Sequence, residues 1–306
     1  MYRPYCKLNT YFDRQLTNDV ALLPLLFPSI SLEQENLVIC VPGLGSSKEY
    51  SAIITDTLPD LGLNAACQCF PLYWYEENKN RELTLFDAVS DEKYIRRDGI
   101  TDWILKEVRS RYGNAENITK EMIFYYVYGL LHSKEYRERF ADDLKKSLPR
   151  IPIVDRVEDF MDFSQYGKKL AELHLNYETI APHPDVKVNV VSAKSPTQDE
   201  YDYYRVDKLR FMSKEDKSVI IYNSNIRIEN IPVKAYDYIV NGKSAIDWIV
   251  ERYCISIDKN SGIRNDANDW AREHNKPRYI LDLLLSVINV STQTVDIVNL
   301  LPHINF

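Results

Sequence analysis

A chain of 306 residues, 45% hydrophobic and 12% aromatic, can bury a sizeable core and is long enough for two domains. Its formal charge of −7 excludes a nonspecific nucleic-acid binder, since such proteins work by releasing counterions through many Lys and Arg contacts, so any DNA contact has to be local. No run approaches the roughly 18 apolar residues of a membrane span, and the first ten residues lack an apolar signal core, so a cytoplasmic protein without membrane contact is expected.

Residues 2–13 read as a strand that opens directly after Met1, as in a segment cut from a longer polypeptide, and residues 37–41 as a second, ended at Pro42-Gly43. The following turn, PGLGSSKEYS, is the first candidate for chemistry: its glycines let the backbone approach a phosphate, and Ser46, Ser47 and Lys48 add donors. It is not a nucleotide-binding P-loop, which needs four residues between its first glycine and a Gly-Lys pair. A plain glycine-rich turn between β-segments is the alternative. Cys6, Cys40, Cys67, Cys69 and Cys254 are odd in number and scattered, and Cys67 and Cys69 lack the spacing of a zinc knuckle or redox pair. Reduced, mostly buried thiols and no metal site are expected. Residues 68–75 read as a buried strand and 76–82 as a surface loop; Thr101 then caps a helix with Trp103 or Ile104, Leu105 and Val108 inward and Gly113 as its left-handed stop.

Residues 117–154 carry the clearest helical periodicity, read as two helices joined at Ser133. Thr119 caps the first, where Ile123, Val127, Leu130 and Leu131 share one stripe; in the second, Tyr136, Phe140, Leu144 and Leu148 repeat every four residues opposite a charged face. Each is expected to bury one side only, and Pro149 and Pro152 force the chain to leave extended. A third helix over 155–177 buries Phe160, Phe163, Leu170 and Leu173, with His174 read as packed and not as a ligand.

Pro182 and Pro184 mark a boundary, after which VKVNVV, YYRVDKLRF and VIIYNSNIRI alternate as strands. Between residues 203 and 234, Arg205, Lys208, Arg210, Lys214, Lys217, Arg227 and Lys234 stand against Asp207, Glu215, Asp216 and Glu229, a local charge of +3 in an acidic chain. This is the expected DNA face. Strand alternation would put Arg205, Asp207 and Leu209 on one side and Val206, Lys208 and Arg210 on the other, so loops must do part of the work. Asn223, Ser224 and Asn225 form a polar tip between two β-runs, and Arg227 follows within reach of the same groove; Asn and Arg can pair bidentately with adenine and guanine edges. The alternative is a hairpin whose turn residues only satisfy backbone geometry. Gly242-Lys243-Ser244 has the tail of a Walker motif, but Asp237 stands where its first glycine belongs; Ser244 with Asp247 instead caps a helix over 246–252. The tail reads as a short helix near Trp270 and a long one after Pro277 with Tyr279, Leu283, Val287 and Val290 buried; Asn268, Arg272, Lys276 and Arg278 are second-rank phosphate candidates.

The stretches RPYCKLNTYFDRQL, LVICVPGLGSSKEYSAIITD, QCFPLYWYE, FYYVYGLLHSKEYRERFADDLKKSLPRIPIV, VIIYNSNIRIENIP, VNGKSAIDWIVERY and NDANDWAREHNKPRYILDLL resemble, in this order, the C-terminal target-recognition region of the type ISP restriction-modification enzymes. The resemblance covers nearly the whole chain. It implies an α+β fold of mixed β-segments with a central helical pair and a helical C-terminus. Three segments are expected: 1–116 after the methyltransferase core, a helical spacer over 117–185, and a DNA-reading part over 186–306. It further implies double-stranded DNA as partner, alongside the parent's methyltransferase, translocase and nuclease domains. The parent would use S-adenosylmethionine, ATP and Mg2+. The methyltransferase's adenine-site signature and Gly-rich cofactor loop are absent here, so no cofactor and no catalysis are expected in this chain. Two rival readings remain: a coupling domain that never touches DNA, and a metal-dependent nuclease of the PD-(D/E)xK kind built on Asp185 with Glu215, Asp216 and Lys217.

Overall fold

The chain divides between Leu175 and Asn176 into two units, the first made of Met1–Arg3, Lys7–Leu175 and Leu300–Phe306 and the second of Pro4–Cys6 and Asn176–Asn299. The structure, a computed structural model, describes residues 1–12, 20–28, 36–78, 93–192 and 199–306. Three segments read from the sequence thus map onto two units, with the helical stretch up to Leu175 inside the first.

The first unit opens with the short helix α1 (Leu23–Leu26) and strands β1 (Val38–Val41), β2 (Ile53–Thr55) and β3 (Gln68–Pro71), which form an antiparallel sheet of order β2-β1-β3. The wholly apolar β1 lies at its centre with all four residues buried, as its unbroken VICV run predicts. Residues 2–12 do not form the expected strand: Pro4 and the left-handed Tyr5, at φ 58°, break the extended backbone, and residue 13 lies outside the described residues. The expected strand over 68–75 splits at Leu72, whose N–H donates to the Leu37 carbonyl at 2.7 Å. Its second half, β4 (Tyr73–Glu77), pairs with β5 (Tyr94–Asp98), so Glu76 and Glu77 belong to a strand and not to the expected loop. Residues 79–82 of that loop lie outside the described residues.

Helix α2 (Asp102–Arg111) starts at Thr101, whose hydroxyl accepts from the Ile104 N–H at 3.3 Å, and Gly113 follows in the left-handed region at φ 68°. Val108 is its one fully buried side chain, while Trp103 points to solvent. Helix α3 (Lys120–His132) differs from the expected one-sided helix. Phe124, Tyr125, Tyr126, Tyr128 and Gly129 are buried beside Ile123, Leu130 and Leu131, leaving the expected Val127 only half-buried. The cause lies in α6 (Val157–Leu175), which crosses α3 without a side chain between the backbones: a Cβ on Gly167 would stand 1.9 Å from the Tyr125 carbonyl oxygen, and one on Gly129 would stand 2.4 Å from that of Phe163. Tyr126 stacks on Phe160 with ring centroids 4.7 Å apart, and the Ser164 hydroxyl donates to the Met122 carbonyl.

The expected second helix is two short ones, α4 (Lys134–Arg139) and α5 (Ala141–Lys146), separated where Phe140 takes φ −110° and ψ 21°. Of its predicted apolar stripe only Tyr136 is buried; Leu148 is exposed. Beyond α5 the prolines do end the helix, and the Tyr126 and Tyr136 hydroxyls donate to the Pro152 and Arg150 carbonyls at 2.6 and 2.8 Å. In α6 the predicted Phe160, Phe163, Leu170 and Leu173 are all buried. His174 is buried, with Nδ1 2.6 Å from the Tyr128 hydroxyl, in the packed role expected of it.

The second unit contains β6 (Lys187–Val190), α7 (Glu200–Tyr204), β7 (Arg210–Phe211), β8 (Ile220–Ile221), β9 (Ile226–Glu229) and a 3-10 turn at Val233–Asp237. After these come β10 (Ile239–Val240), β11 (Lys243–Ser244), α8 (Ala245–Arg252), β12 (Ile255–Ile257), β13 (Arg264–Asp266), α9 (Asp269–Glu273) and α10 (Tyr279–Val298). Its main sheet is antiparallel with order β6-β9-β8-β7. Ser244 caps α8 as its spacing predicts, accepting from the Asp247 N–H at 3.0 Å while its hydroxyl donates to the Asp247 carboxylate. Contrary to the sequence reading, α10 is long and apolar enough to cross a membrane by length and composition. Its side chains are nevertheless buried inside the unit, including the predicted Leu283, Val287 and Val290, and Ser286 donates to the Tyr177 carbonyl at 2.6 Å. It is a core helix.

Candidate nucleic-acid interface

The expected strand over 203–211 does not form. Residues 200–204 turn as α7, capped by Asp199, and only Arg210–Phe211 pair in the sheet. Burial between them follows a period of three, with Tyr203, Val206 and Leu209 inside, so alternation does not place Arg205, Lys208 and Arg210. Pairing in the sheet places Arg210 instead. Ile221 stands opposite Arg210 on β7 and opposite Arg227 on β9, and Arg227 stands opposite Asn189 on β6. Residues directly opposite share a face, so Arg210, Ile221, Arg227 and Asn189 form one row, with the two arginines two strand spacings, roughly 10 Å, apart. Ile226 and Ile228 alternate inward from this row, so the arginines stand on the face away from the core. In the next row Lys187 faces Glu229, and Glu229 accepts from the Asn189 amide at 3.2 Å. Arg210 and Arg227 make no side-chain hydrogen bond or ion pair with any described residue, whereas Lys187 and Asn189 carried no signal in the sequence beyond their strand.

The polar tip between β8 and β9 turns inward. Asn223 donates to the Tyr203 and Arg205 carbonyls, both at 2.9 Å, and its side-chain oxygen accepts from the Asn225 and Ile226 N–H groups. Asn225 is 6% exposed and donates to the Tyr203 carbonyl. Only Ser224 faces solvent. The expectation that this tip stands clear of the core is therefore corrected: its amides anchor residues 203–205 against the hairpin. Asn223→Ala is expected to destabilise the second unit by about 2–3 kcal/mol, since the Arg205 carbonyl and two N–H groups lose this partner at once while the Tyr203 carbonyl keeps only Asn225. Urea denaturation checks this, and a midpoint equal to wild type would refute the anchor.

Arg205 lines a cleft of about 170 Å³ with Tyr201, Arg264, Asp266, Asn268 and Arg272. Arg205 and Arg264 both reach the Asp266 carboxylate, at 3.7 and 2.8 Å. Burial pushes the Asp266 carboxyl up, yet the Asn268 hydrogen bonds and the two guanidinium charges outweigh that and hold it below the usual carboxylate range. Arg205 also pairs with Asp207, and Arg272 lies 3.6 Å from Asp202. Asn268, ranked second for phosphate contact, is an internal clamp on Val206, accepting from its N–H and donating to its carbonyl. Arg278 bonds Asp282 and Tyr204, and Lys276 lies over the Trp270 ring, 5.5 Å from its centroid. Lys208 is exposed beside Cys254 in an isolated β-bridge.

Ser46, Ser47 and Lys48 lie in the first unit, in a turn where Gly45 takes φ 75° and the Ser46 hydroxyl accepts from the Lys48 N–H at 3.1 Å. Ser47 and Lys48 are exposed and Ser46 half-buried. The nuclease letters are committed elsewhere: Lys217 pairs with Asp247 at 3.1 Å, and Asp216 accepts from the Ser218 N–H and hydroxyl. Cys40, Cys67 and Cys69 bring their sulfurs within 4.8 Å of one another. Spacing along the chain could not show this, since Cys40 comes from a neighbouring strand.

The chain is a two-unit α+β protein whose second sheet carries Arg210 and Arg227 in one row. Residues 1–283 match the model of the Type ISP C-terminal specificity domain, and the chain belongs to that family. It is 35% identical, over its whole length and with a TM-score of 0.85, to part of the ATP-dependent Type ISP restriction-modification enzyme LlaBIII bound to DNA. It is 34% identical, with a TM-score of 0.80, to part of a nuclease-deletion mutant of the Type ISP enzyme LlaGI in complex with a DNA substrate mimic. A third solved structure, the DrdV–DNA complex, matches with 30% identity and a TM-score of 0.81. The chain spans 18%, 24% and 28% of those three chains. No curated protein matches it.

Proposed function

We propose that this chain recognises double-stranded DNA as the target-recognition module of a Type ISP restriction-modification enzyme, presenting the Arg210 and Arg227 row of the second unit to the duplex. The carrying observation is the whole-chain likeness, at 35% and 34% identity, to parts of two Type ISP enzymes in DNA-bound structures, joined to a row of two arginines with no partner among the described residues. Arg205, Lys208, Ser224 and the exposed turn at Ser46, Ser47 and Lys48 supply phosphate contacts, which position a reader without specifying a base. The chain itself is not catalytic. S-adenosylmethionine, ATP and Mg2+ belong to methyltransferase, translocase and nuclease domains of the parent polypeptide, which works in the cytoplasm. The commitment of Lys217 to Asp247 counts against the nuclease reading. The test is binding of duplex DNA at several salt concentrations: affinity should fall steeply with salt, and no binding at low salt would favour the coupling domain that the net charge of −7 suits.

Arg227→Ala is expected to weaken cognate binding by roughly 1–3 kcal/mol and to relax the preference at one base pair, as loss of a bidentate guanine contact does. Folding should be unchanged, because the guanidinium bonds to no described residue. Methylated sites mapped across a random library with the parent enzyme, beside a thermal melt of this chain, check both parts. Unaltered site choice would remove Arg227 from the reader.

A further inference from the structure

We propose that Cys40, Cys67 and Cys69 form a three-thiolate site for a thiophilic metal ion, zinc being the ion to test. The sheet register builds it. Cys40 on β1 stands opposite Cys69 on β3, so their side chains share a face, and Cys67, two residues before Cys69, returns to that face. The loop before Cys67 is clamped to the end of β1: the Gly43 N–H donates to the Ala65 carbonyl at 3.0 Å, and a Cβ on Gly43 would stand 2.4 Å from the Ala66 oxygen. Ala65 and Ala66 are both left-handed, at φ 49° and 58°, a conformation that costs alanine about 1–2 kcal/mol per residue. The fold holds this loop under strain, and its outcome is a third sulfur beside the other two.

The distances suit an ion. The Cys67 and Cys69 sulfurs are 3.6 Å apart and all three lie within 4.8 Å of one another. Zinc bound to sulfur at about 2.3 Å in a tetrahedron requires sulfurs about 3.8 Å apart, which side-chain shifts of up to about an ångström supply. Cys40 and Cys67 are buried and Cys69 is half-buried, so two ligands are dry and the third faces the opening, where water or an outside ligand completes the tetrahedron. An all-sulfur donor set selects soft ions over Mg2+ and Ca2+. On entry the ion takes three sulfur bonds and the three thiol protons pass to solvent, with no change of oxidation state.

The test uses the full 306-residue chain, purified under reductant and titrated with Cd2+ as a spectroscopic probe and with Zn2+ in competition with a chelator. One equivalent should bind, with a thiolate-to-cadmium absorbance band and protection of three of the five thiols from alkylation. Cys69→Ser, at the half-buried position, should keep the circular dichroism of the parent and lower affinity at least about 100-fold, since even outer-shell partners of a metal ligand are worth 10–100-fold. Cys67→Ser provides a second variant in case the first disturbs the sheet. Absence of the band, or wild-type affinity in both folded variants, would overturn the site. A chain two hydrogens lighter before reduction, with its disulfide mapped to this cluster, would overturn it in favour of a redox pair.

Discussion

Replacing Gly167 with alanine is expected to cost the first unit about 3 kcal/mol or more and to lower its melting temperature by roughly 6–12 °C, taking about 2–4 °C per kcal/mol for a domain of this size. The new Cβ would lie 1.9 Å from the Tyr125 carbonyl oxygen and 2.8 Å from the Gly129 nitrogen, both backbone atoms of α3. A flexible side chain could swing aside, but a helix backbone can only retreat. That retreat pulls apart the Tyr126–Phe160 stack and the hydrogen bond from Ser164 to Met122, which placed the effect above ordinary overpacking. Gly129→Ala acts at the same crossing with the same sign, so the double variant should cost less than the sum. Gly113→Asn is the control: nothing lies near that position, its φ is 68°, and asparagine tolerates the left-handed region. A Gly167→Ala chain that melts with the wild type would show slack between the helices.

The crossing also shows how far periodicity reaches. The apolar spacing in residues 120–132 located α3 and its Thr119 cap, but it spoke of one stripe where the structure buries nearly the whole circumference. The tyrosines 125, 126 and 128 read as neutral to such spacing, because a phenol ring can be buried if its hydroxyl finds a partner, and that of Tyr126 finds the Pro152 carbonyl 26 residues on. α6 and α10 were legible because long, strongly apolar faces outweigh local exceptions. The strand expected at residues 203–211 was not, since its Tyr203, Val206 and Leu209 are buried at a spacing that alternation cannot produce.

For the candidate site the sequence located the basic segment but not its surface. Asn223 and Asn225 carry the letters of a reading loop, and the same letters serve a turn that ties residues 203–205 to the hairpin. Arg210 and Arg227 lie 17 positions apart in the sequence and meet in one row only through Ile221, a register that hydrogen-bond pairing sets and residue types do not. Cys40 joins Cys67 and Cys69 by the same kind of long-range pairing.

Acid should weaken the first unit well before its carboxylates titrate: between pH 6.5 and 5 the expected loss is up to about 4 kcal/mol, from His132 and His174 together. Their rings lie 5.4 Å apart between α3 and α6, both fully buried. Burial, followed by the nearby Arg137 charge, pushes His174 down to about 3. The same two causes, then His174 itself, hold His132 well below the usual histidine range, against a smaller upward pull from the Tyr128 carbonyl. That carbonyl accepts from His132 Nδ1, leaving Nε2 buried with no partner among the described residues, so a second proton there would have none of them to bond. In the unfolded chain both rings take protons near pH 6.5, while the folded unit refuses them. Stability is therefore full above about pH 6.5 and falls by up to about 1.4 kcal/mol per pH unit for each ring, until His174 charges in the folded state near pH 3. Urea midpoints of the wild type and of His174→Asn at pH 7.5 and 5 make the test. The difference between the two pH values, not the absolute stability, should shrink by about half in the variant. A wild-type midpoint that does not move over this range would mean that both rings reach water.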